Sequence, residues 1–260
     1  MKVAAVTGAS RGLGYAIQKE LVRLGYKVIS MSRTDPGDEQ HVFYALDLAD
    51  QASILEAASQ VEKNWGEGID LLVNCAGFGI SGPFEETSLR DIRKQFDVNV
   101  FGAWELTRQL IPLLEKKRGR ILFVSSVAAT IPIPFQSFYS VSKAAITHMS
   151  LCLDNELIPL GMRSLCVELG DISTTFTDHR LKMICSEKYK ERCERSVLMM
   201  EKDERTGERP EEVAPKILKK ALSTNPPPKW THGIKYSFLS GLYRLLLPRI
   251  SNSILRRLYG

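Results

Sequence analysis

The 260 residues include only five cysteines, Cys75, Cys152, Cys166, Cys185 and Cys193. The number is odd and no Cys-x-x-Cys spacing occurs. That speaks against a disulfide framework and a structural zinc site, and it suits a reducing, cytoplasmic setting. No run approaches the roughly 18 apolar residues of a membrane span. The opening Met1-Lys2-Val3-Ala4-Ala5-Val6 is cut at once by Thr7-Gly8, too short a run for a secretory leader. There is no internal repeat and no low-complexity tract. Acidic residues are missing from 229–260, where Lys229, Lys235, Arg244, Arg249, Arg256 and Arg257 account for more than the whole net charge of +5. The remaining body is close to neutral, which argues against nucleic acid as its partner.

What is present is a globular composition, 44% hydrophobic and 25% charged. The length suits one large α/β domain whose core needs no metal or disulfide. Apolar runs at Lys2–Val6, Lys27–Met31, Val42–Leu46, Ile69–Val73, Arg120–Val124 and Met162–Glu168 read as buried strands. Helical patterns lie between them: Gly12 to Leu24, Asp50–Trp65 with Asp50 as N-cap, Leu89–Lys117 and Phe138–Ile158. Strands alternating with helices imply a parallel sheet covered on both faces. After Gly170 the rhythm breaks. Residues 171–208 are polar with apolar islands, a helix is expected near Pro210–Leu222, and Pro226-Pro227-Pro228 makes a rigid break. We expect a single domain over 1–228 and a basic C-terminal extension over 229–260.

Thr7-Gly8-Ala9-Ser10-Arg11-Gly12-Leu13-Gly14 joins the first strand to the first helix. Glycines there permit a tight turn and close approach to a pyrophosphate, which the free N–H groups of the helix N-terminus attract. An NAD site places an acid at the end of the next strand, and an NADP site places a cation. Here that strand ends Met31-Ser32-Arg33, with no acid before Asp35. Arg11 and Arg33 suit a 2′-phosphate, so NADP(H) is expected over NAD(H). Tyr139 and Lys143 are four apart on one helix face, where an ammonium would lower the phenol's pKa from its usual value near 10. Ser126 closes the preceding strand and can hold a carbonyl oxygen.

With Asp47, Asn74-Cys75-Ala76-Gly77 and Asn99 in the same order, residues 2–176 resemble the short-chain dehydrogenase/reductase family. The resemblance implies a doubly wound, seven-stranded parallel Rossmann sheet and a homodimer or homotetramer. It implies that Tyr139 exchanges a proton with the substrate oxygen and that Lys143 binds the nicotinamide ribose and depresses the Tyr139 pKa. Ser126 would orient the substrate, and Asn99 would hold a helix bend and a proton-relaying water. Gly8, Ser10, Arg11, Gly12, Leu13, Gly14 and Arg33 would meet the phosphates, and Asp47 and Leu48 the adenine. Asn74, Ala76 and Gly77 would line the cleft, with Gly170, Ile172 and Thr174 near the nicotinamide. The family's frequent Pro-Gly after the sixth strand is Leu169-Gly170 here.

Residues 171–208 fall at the family's substrate lid. Phe78, Ile80, Phe135, Phe138, Phe176, Met183 and Met199 are the candidate pocket, half of which ordinary core packing would also explain. The stretches Gly77–Phe84 and Ile131–Tyr139 are similar to the steroid- and retinoid-handling, 17β-hydroxysteroid-dehydrogenase-like branches. The expected activity is NADPH-dependent interconversion of a ketone or aldehyde and an alcohol on a bulky apolar small molecule, with no metal. The alternatives are a 3-oxoacyl-thioester reductase and a non-catalytic NADP(H) sensor. Ser237–Tyr259 has the pattern of two amphipathic helices with basic faces. Such helices either lie peripherally on a membrane or pack on the body or a second subunit.

Overall fold

The computed structural model describes residues 1–37 and 40–259. The strands are β1 (Lys2–Thr7), β2 (Tyr26–Ser32), β3 (His41–Ala45), β4 (Leu71–Asn74), a short β5 (Ile80–Ser81), β6 (Arg120–Ser126), β7 (Arg163–Leu169), a short β8 (Leu181–Lys182) and β9 (Lys229–Thr231). Seven of them form one parallel sheet in the order β3-β2-β1-β4-β6-β7-β9. The central strands are buried along all but their end residues, as near-continuous apolar runs demand when both faces are covered.

Helices α1 (Gly12–Arg23), α2 (Gln51–Asn64), α3 (Leu89–Phe96), α4 (Ala103–Lys117), α5 (Ser137–Leu157), α6 (Lys190–Arg205), α7 (Pro210–Ala221), α8 (Ile234–Leu245) and α9 (Pro248–Tyr259) complete the chain. On one face of the sheet α2, α4 and α5 contribute Ile54, Leu106, Leu110 and Ile146 to the core. On the other, α1 and α7 contribute Ile17, Leu21, Val213 and Ile217. Asp50 caps α2 as expected, accepting from the Ala52 N–H at 3.0 Å. The helical stretch at 89–117 is interrupted by a π-helical turn at Asp97–Gly102. Gly102 is required there: a Cβ would sit 2.2 Å from the Leu48 carbonyl oxygen.

Pairing of β1 with β2 on one side and β4 on the other makes the direction of sheet growth reverse between them. Such a reversal opens a crevice at the carboxyl ends of the strands, where open α/β sheets bind ligands.

The expected boundary at 229 is corrected. Lys229–Thr231 is the seventh strand, registered against Cys166–Glu168, and Trp230 is buried in the α1/α7 core. Pro228 immediately precedes that strand and accepts the Cys166 N–H, so the proline run belongs to the sheet edge rather than to a linker. The extension begins after Thr231. It forms the two expected helices, with Phe238, Leu245 and Leu247 exposed and Ser240, Ser251 and Leu255 turned inward.

Residues 173–207 leave the body and return to it at one place. Ile172 forms a parallel bridge with Glu208, and the Ser173 N–H donates to the Glu208 carbonyl at 3.0 Å. Within this loop β8 pairs with β5, and α6 packs Cys193, Val197 and Met200 against Ile133, Phe135 and Tyr259.

Candidate active site

The crevice floor is the glycine turn. Gly8 (φ +68°) and Gly12 (φ +56°) take the left-handed conformation that favours glycine. At Gly14 a Cβ would lie 2.3 Å from the Gly8 carbonyl oxygen, so α1 can start against β1 only with glycine there. Arg11 precedes α1 without a capping hydrogen bond, and its first turn has no acid. The N–H groups at that end therefore face the crevice unneutralised, which fits the pyrophosphate of a dinucleotide. Ser10 and Leu13 are half-buried on the same turn, Leu13 against the α1/α7 core. Thr174 closes over it, its Cβ 3.4 Å from the Cβ position of Gly12. Thr7 fixes the turn to the end of β4 by accepting the N–H groups of Cys75 (3.0 Å) and Ala76 (3.1 Å).

The four expected catalytic residues converge beyond the turn. Tyr139 and Lys143 are buried on α5, and Tyr139 hydrogen-bonds Ser126 at the end of β6. Lys143 Nζ donates to the Val124 carbonyl at 3.0 Å and lies 5.7 Å from the Tyr139 ring centroid. Gly77 admits them: its Cβ position is 3.1 Å from Asn99 Oδ1 and 3.4 Å from Lys143 Nζ. Asn99, fully buried in the π-helical turn, clamps Phe78 by accepting its N–H and donating to its carbonyl, both at 3.0 Å. It also donates to Ser142 at 3.1 Å. The expected depression of the Tyr139 pKa is not found. Burial dominates and lifts the phenol to about 12, against the lowering effect of the Ser126 hydrogen bond. The charges that reach it are Glu204 and Asp171, which raise it, and Arg180, which lowers it. Burial pushes the Lys143 ammonium down.

Several expected cofactor contacts have other partners. Asn74 donates to Thr107 of α4 at 3.0 Å, and the Leu48 side chain packs in the core. Asp47 accepts the Ala49 N–H at 2.9 Å, closing a turn. Arg11 and Arg33 are exposed, and Arg11 reaches across the crevice to His179 at 2.7 Å. Asp35 contacts His41 at 3.2 Å and accepts the Gly37 N–H at 2.8 Å. At Gly170 the close approach is taken by Tyr236. Its ring carbons lie 2.2–2.4 Å from a Cβ position there, and its hydroxyl donates to Asp171.

Of the pocket residues, Phe176 lies against Tyr139 with ring centroids 5.7 Å apart. Ile80 is buried in β5, and the Met183 N–H donates to the Ser81 carbonyl beside it at 2.8 Å. Phe138 stacks on Phe84 at 5.0 Å, and Phe135 (φ +61°) packs edge-on to Tyr189. Met199 is corrected: it is on the outer face of α6. Helical spacing from Cys193 and Val197 turns Met200 inward instead.

Sequence reasoning missed Arg180, Glu204 and Tyr236. Arg180 is buried and paired with Glu204, 24 residues away on α6. No local spacing announces such a pair. Tyr236 had one signal, a glycine at 170 with nothing nearby in sequence to fill its missing side chain.

Residues 2–184 match the sequence profile described as short chain dehydrogenase. The chain is 32% identical over 227 residues to the 3-ketodihydrosphingosine reductase of Bacteroides thetaiotaomicron, covering 85% of this chain and 84% of that protein. It is 35% identical over 189 residues to the NADPH-dependent 1-acyldihydroxyacetone phosphate reductase of Saccharomyces cerevisiae, covering 69% of this chain and 64% of the yeast protein. Among solved structures, a short-chain dehydrogenase from Streptomyces avermitilis superposes with a TM-score of 0.84 at 28% identity, over 98% of this chain and 96% of that one.

Proposed function

Because this chain belongs to the short-chain dehydrogenase family, we propose that it is an NADPH-dependent reductase of bulky, apolar, lipid-like ketones. The observation that carries the reading is the convergence of Ser126, Tyr139, Lys143 and Asn99 on the crevice lined by the glycine turn. Tyr139, held protonated by burial, is a proton donor for a carbonyl oxygen that Ser126 orients. Lys143, within 3.4 Å of the Gly77 Cβ position, holds the ribose, and Asn99 keeps Phe78 and Gly77 in register with it. The dinucleotide, when bound, supplies the hydride. NADPH is favoured by Arg11 and Arg33 at the crevice rim and by Asp35, whose carboxylate is engaged by His41 and Gly37. The apolar substrate is favoured by Phe176 against Tyr139, by buried Ile80, and by the apolar Ile133–Phe135 wall that packs on α6 just ahead of α5. Both curated relatives named above reduce lipid ketones by their names, which supports the same class here.

Exposed Phe238, Leu245 and Leu247, set among arginines without an acid, suit an anionic membrane surface, where such substrates reside. No described helix is long and apolar enough to cross a membrane. Exposed Phe101 and Trp104, beside a groove of about 300 Å³ lined by α4 and α5, suit pairing with a second copy in the cytoplasm.

The test is paired titration with NADPH and NADH, then turnover of long-chain ketone, steroid, retinal, acyl-thioester and small aldehyde panels. Tighter NADPH binding with reduction of a long-chain ketone or steroid supports the reading. NADH preference removes the two-arginine argument, and tight binding without turnover on any panel favours a sensor.

A further inference from the structure

Among the described residues, Arg180 is a charged group with two buried donors left unmet. Its side chain is completely buried, yet only its Nη2 has a partner, Glu204. Nε and Nη1 lie buried without an acceptor. Unmet donors of this kind are rare and costly in folded proteins, more so on a charged group. Glu204 itself is shared, since Thr177 Oγ1 donates to its other oxygen at 2.7 Å.

The position of these donors gives them meaning. The guanidinium carbon is 5.8 Å from the Phe176 ring centroid, and that ring lies against Tyr139. Nε is 3.7 Å from the Cβ position of Gly79, two residues beyond Gly77. The same Cβ position is 3.2 Å from Phe176 Cζ, so Gly79 is where the guanidinium and that ring come together. The guanidinium therefore sits at the Tyr139 end of the crevice, with the Phe176 ring between it and the phenol. Carboxylates are the alternative ligands nearby, and Glu204 and Asp171 both act on the same region.

We infer that Arg180 is an anion-binding residue of the substrate pocket, selecting ketones that carry a phosphate or carboxylate close to the reacting carbonyl. The guanidinium offers Nε and Nη1 to that anion while Glu204 holds Nη2 and sets the position of the group. A neutral polycyclic ketone leaves those donors unmet, whereas an acyl-chain ketone with an anionic head satisfies them and lays its chain along the apolar wall. The inference rests on the reductase reading for which molecule is turned over, but its binding test does not.

The experiment is calorimetric titration of octyl phosphate, octanoate, 1-octanol and inorganic phosphate into the full chain saturated with dinucleotide, which blocks the glycine turn. The wild type is expected to bind octyl phosphate or octanoate about tenfold or more tightly than 1-octanol. Arg180→Met should erase that preference, Arg180→Lys should retain part of it, and Glu204→Gln should widen it by removing the competing carboxylate. A merely structural ion pair would make both Arg180→Met and Glu204→Gln lower the melting temperature and leave the preference alone. Equal binding of the anionic and neutral ligands by wild type, or a preference that survives Arg180→Met, overturns the inference. Should Arg180→Met fail to fold, the Glu204→Gln and Arg180→Lys shifts decide. Preference for phosphate over octanoate assigns a phosphate ester, and binding of inorganic phosphate alone at Arg180 assigns the head group without the chain. Absence of ketone turnover with the preference intact overturns the reductase reading and not this one.

Discussion

Tyr139 shows how far burial can set the direction of chemistry at a single residue. With its phenol raised to about 12, it enters the neutral range as an acid with its proton in place. Reduction is therefore expected to run at a pH-independent rate between about pH 6 and pH 9, while the reverse oxidation, which needs the phenolate, rises with pH throughout. The same shift has a consequence for folding. An unfolded tyrosine ionises near pH 10, so the stability that buried Tyr139 contributes is complete below about pH 10 and declines as pH rises through 12. Tyr139→Phe should lower kcat by about 10²–10⁴-fold with cofactor affinity changed less than about twofold, checked by stopped-flow and fluorescence titration. Gly14→Ala should do the opposite. The added methyl meets the Gly8 carbonyl at 2.3 Å, so α1 must shift and dinucleotide affinity falls first. The proposed catalytic residues could be marked in the sequence because the roles expected of them fix residue type and spacing together, and the fold brings all four to one place. The partners that Leu48, Asn74 and Gly170 have in the fold were not legible, because spacing says where a residue sits along the chain and not which way it faces.

Among the elements, those of the sheet could be read and those of the segment 173–207 could not. Every strand of 2–169 in the main sheet was marked by an apolar run, and its helices by a 3.6-residue period. The segment 173–207 carries charge on most faces of α6, and of its apolar residues only Cys193, Val197 and Met200 are buried, too sparse a pattern to fix its orientation. β9 escaped because three residues, Lys229-Trp230-Thr231, leave no period to detect. Its Trp230 nonetheless anchors the sheet edge under the Lys220 ammonium, 5.5 Å from the ring centroid. Trp230→Ala is expected to cost about 3–5 kcal/mol, read as a lower urea midpoint. On α5, Asp154 is 3% exposed, pairs with Arg163 through both oxygens at 2.8 and 3.1 Å, and accepts the Ser164 N–H. Asp154→Ala would leave Arg163 and that N–H without a partner, and a loss of about 3 kcal/mol is expected in the same measurement.

For the molecule as a whole, the distribution of charge separates a nearly neutral catalytic body from a basic end. If the end serves a membrane, Phe238→Glu and Leu245→Glu should abolish sedimentation with phosphatidylserine vesicles while leaving the melting temperature and soluble-substrate turnover in place. Both residues are exposed, so the body loses no packing with them. Neutral vesicles should bind the wild type weakly, because each cation near an anionic surface adds roughly 1 kcal/mol. Tight binding to neutral vesicles, or none to either, sinks the membrane assignment.

The clasp at Ile172 and Glu208 reaches beyond the present chain. A loop whose two ends are already joined by the body pays little closure entropy for a change in its length, since that cost grows only with the logarithm of the residues enclosed. Strands β6 and β7, which carry Ser126 and lead to Gly170, keep their register whatever the enclosed segment becomes. The segment proposed to face the substrate is in that sense a removable cartridge. Gene-level recombination at 172 and 208 could exchange one ligand preference for another while the proton donor and the hydride site stay where they are.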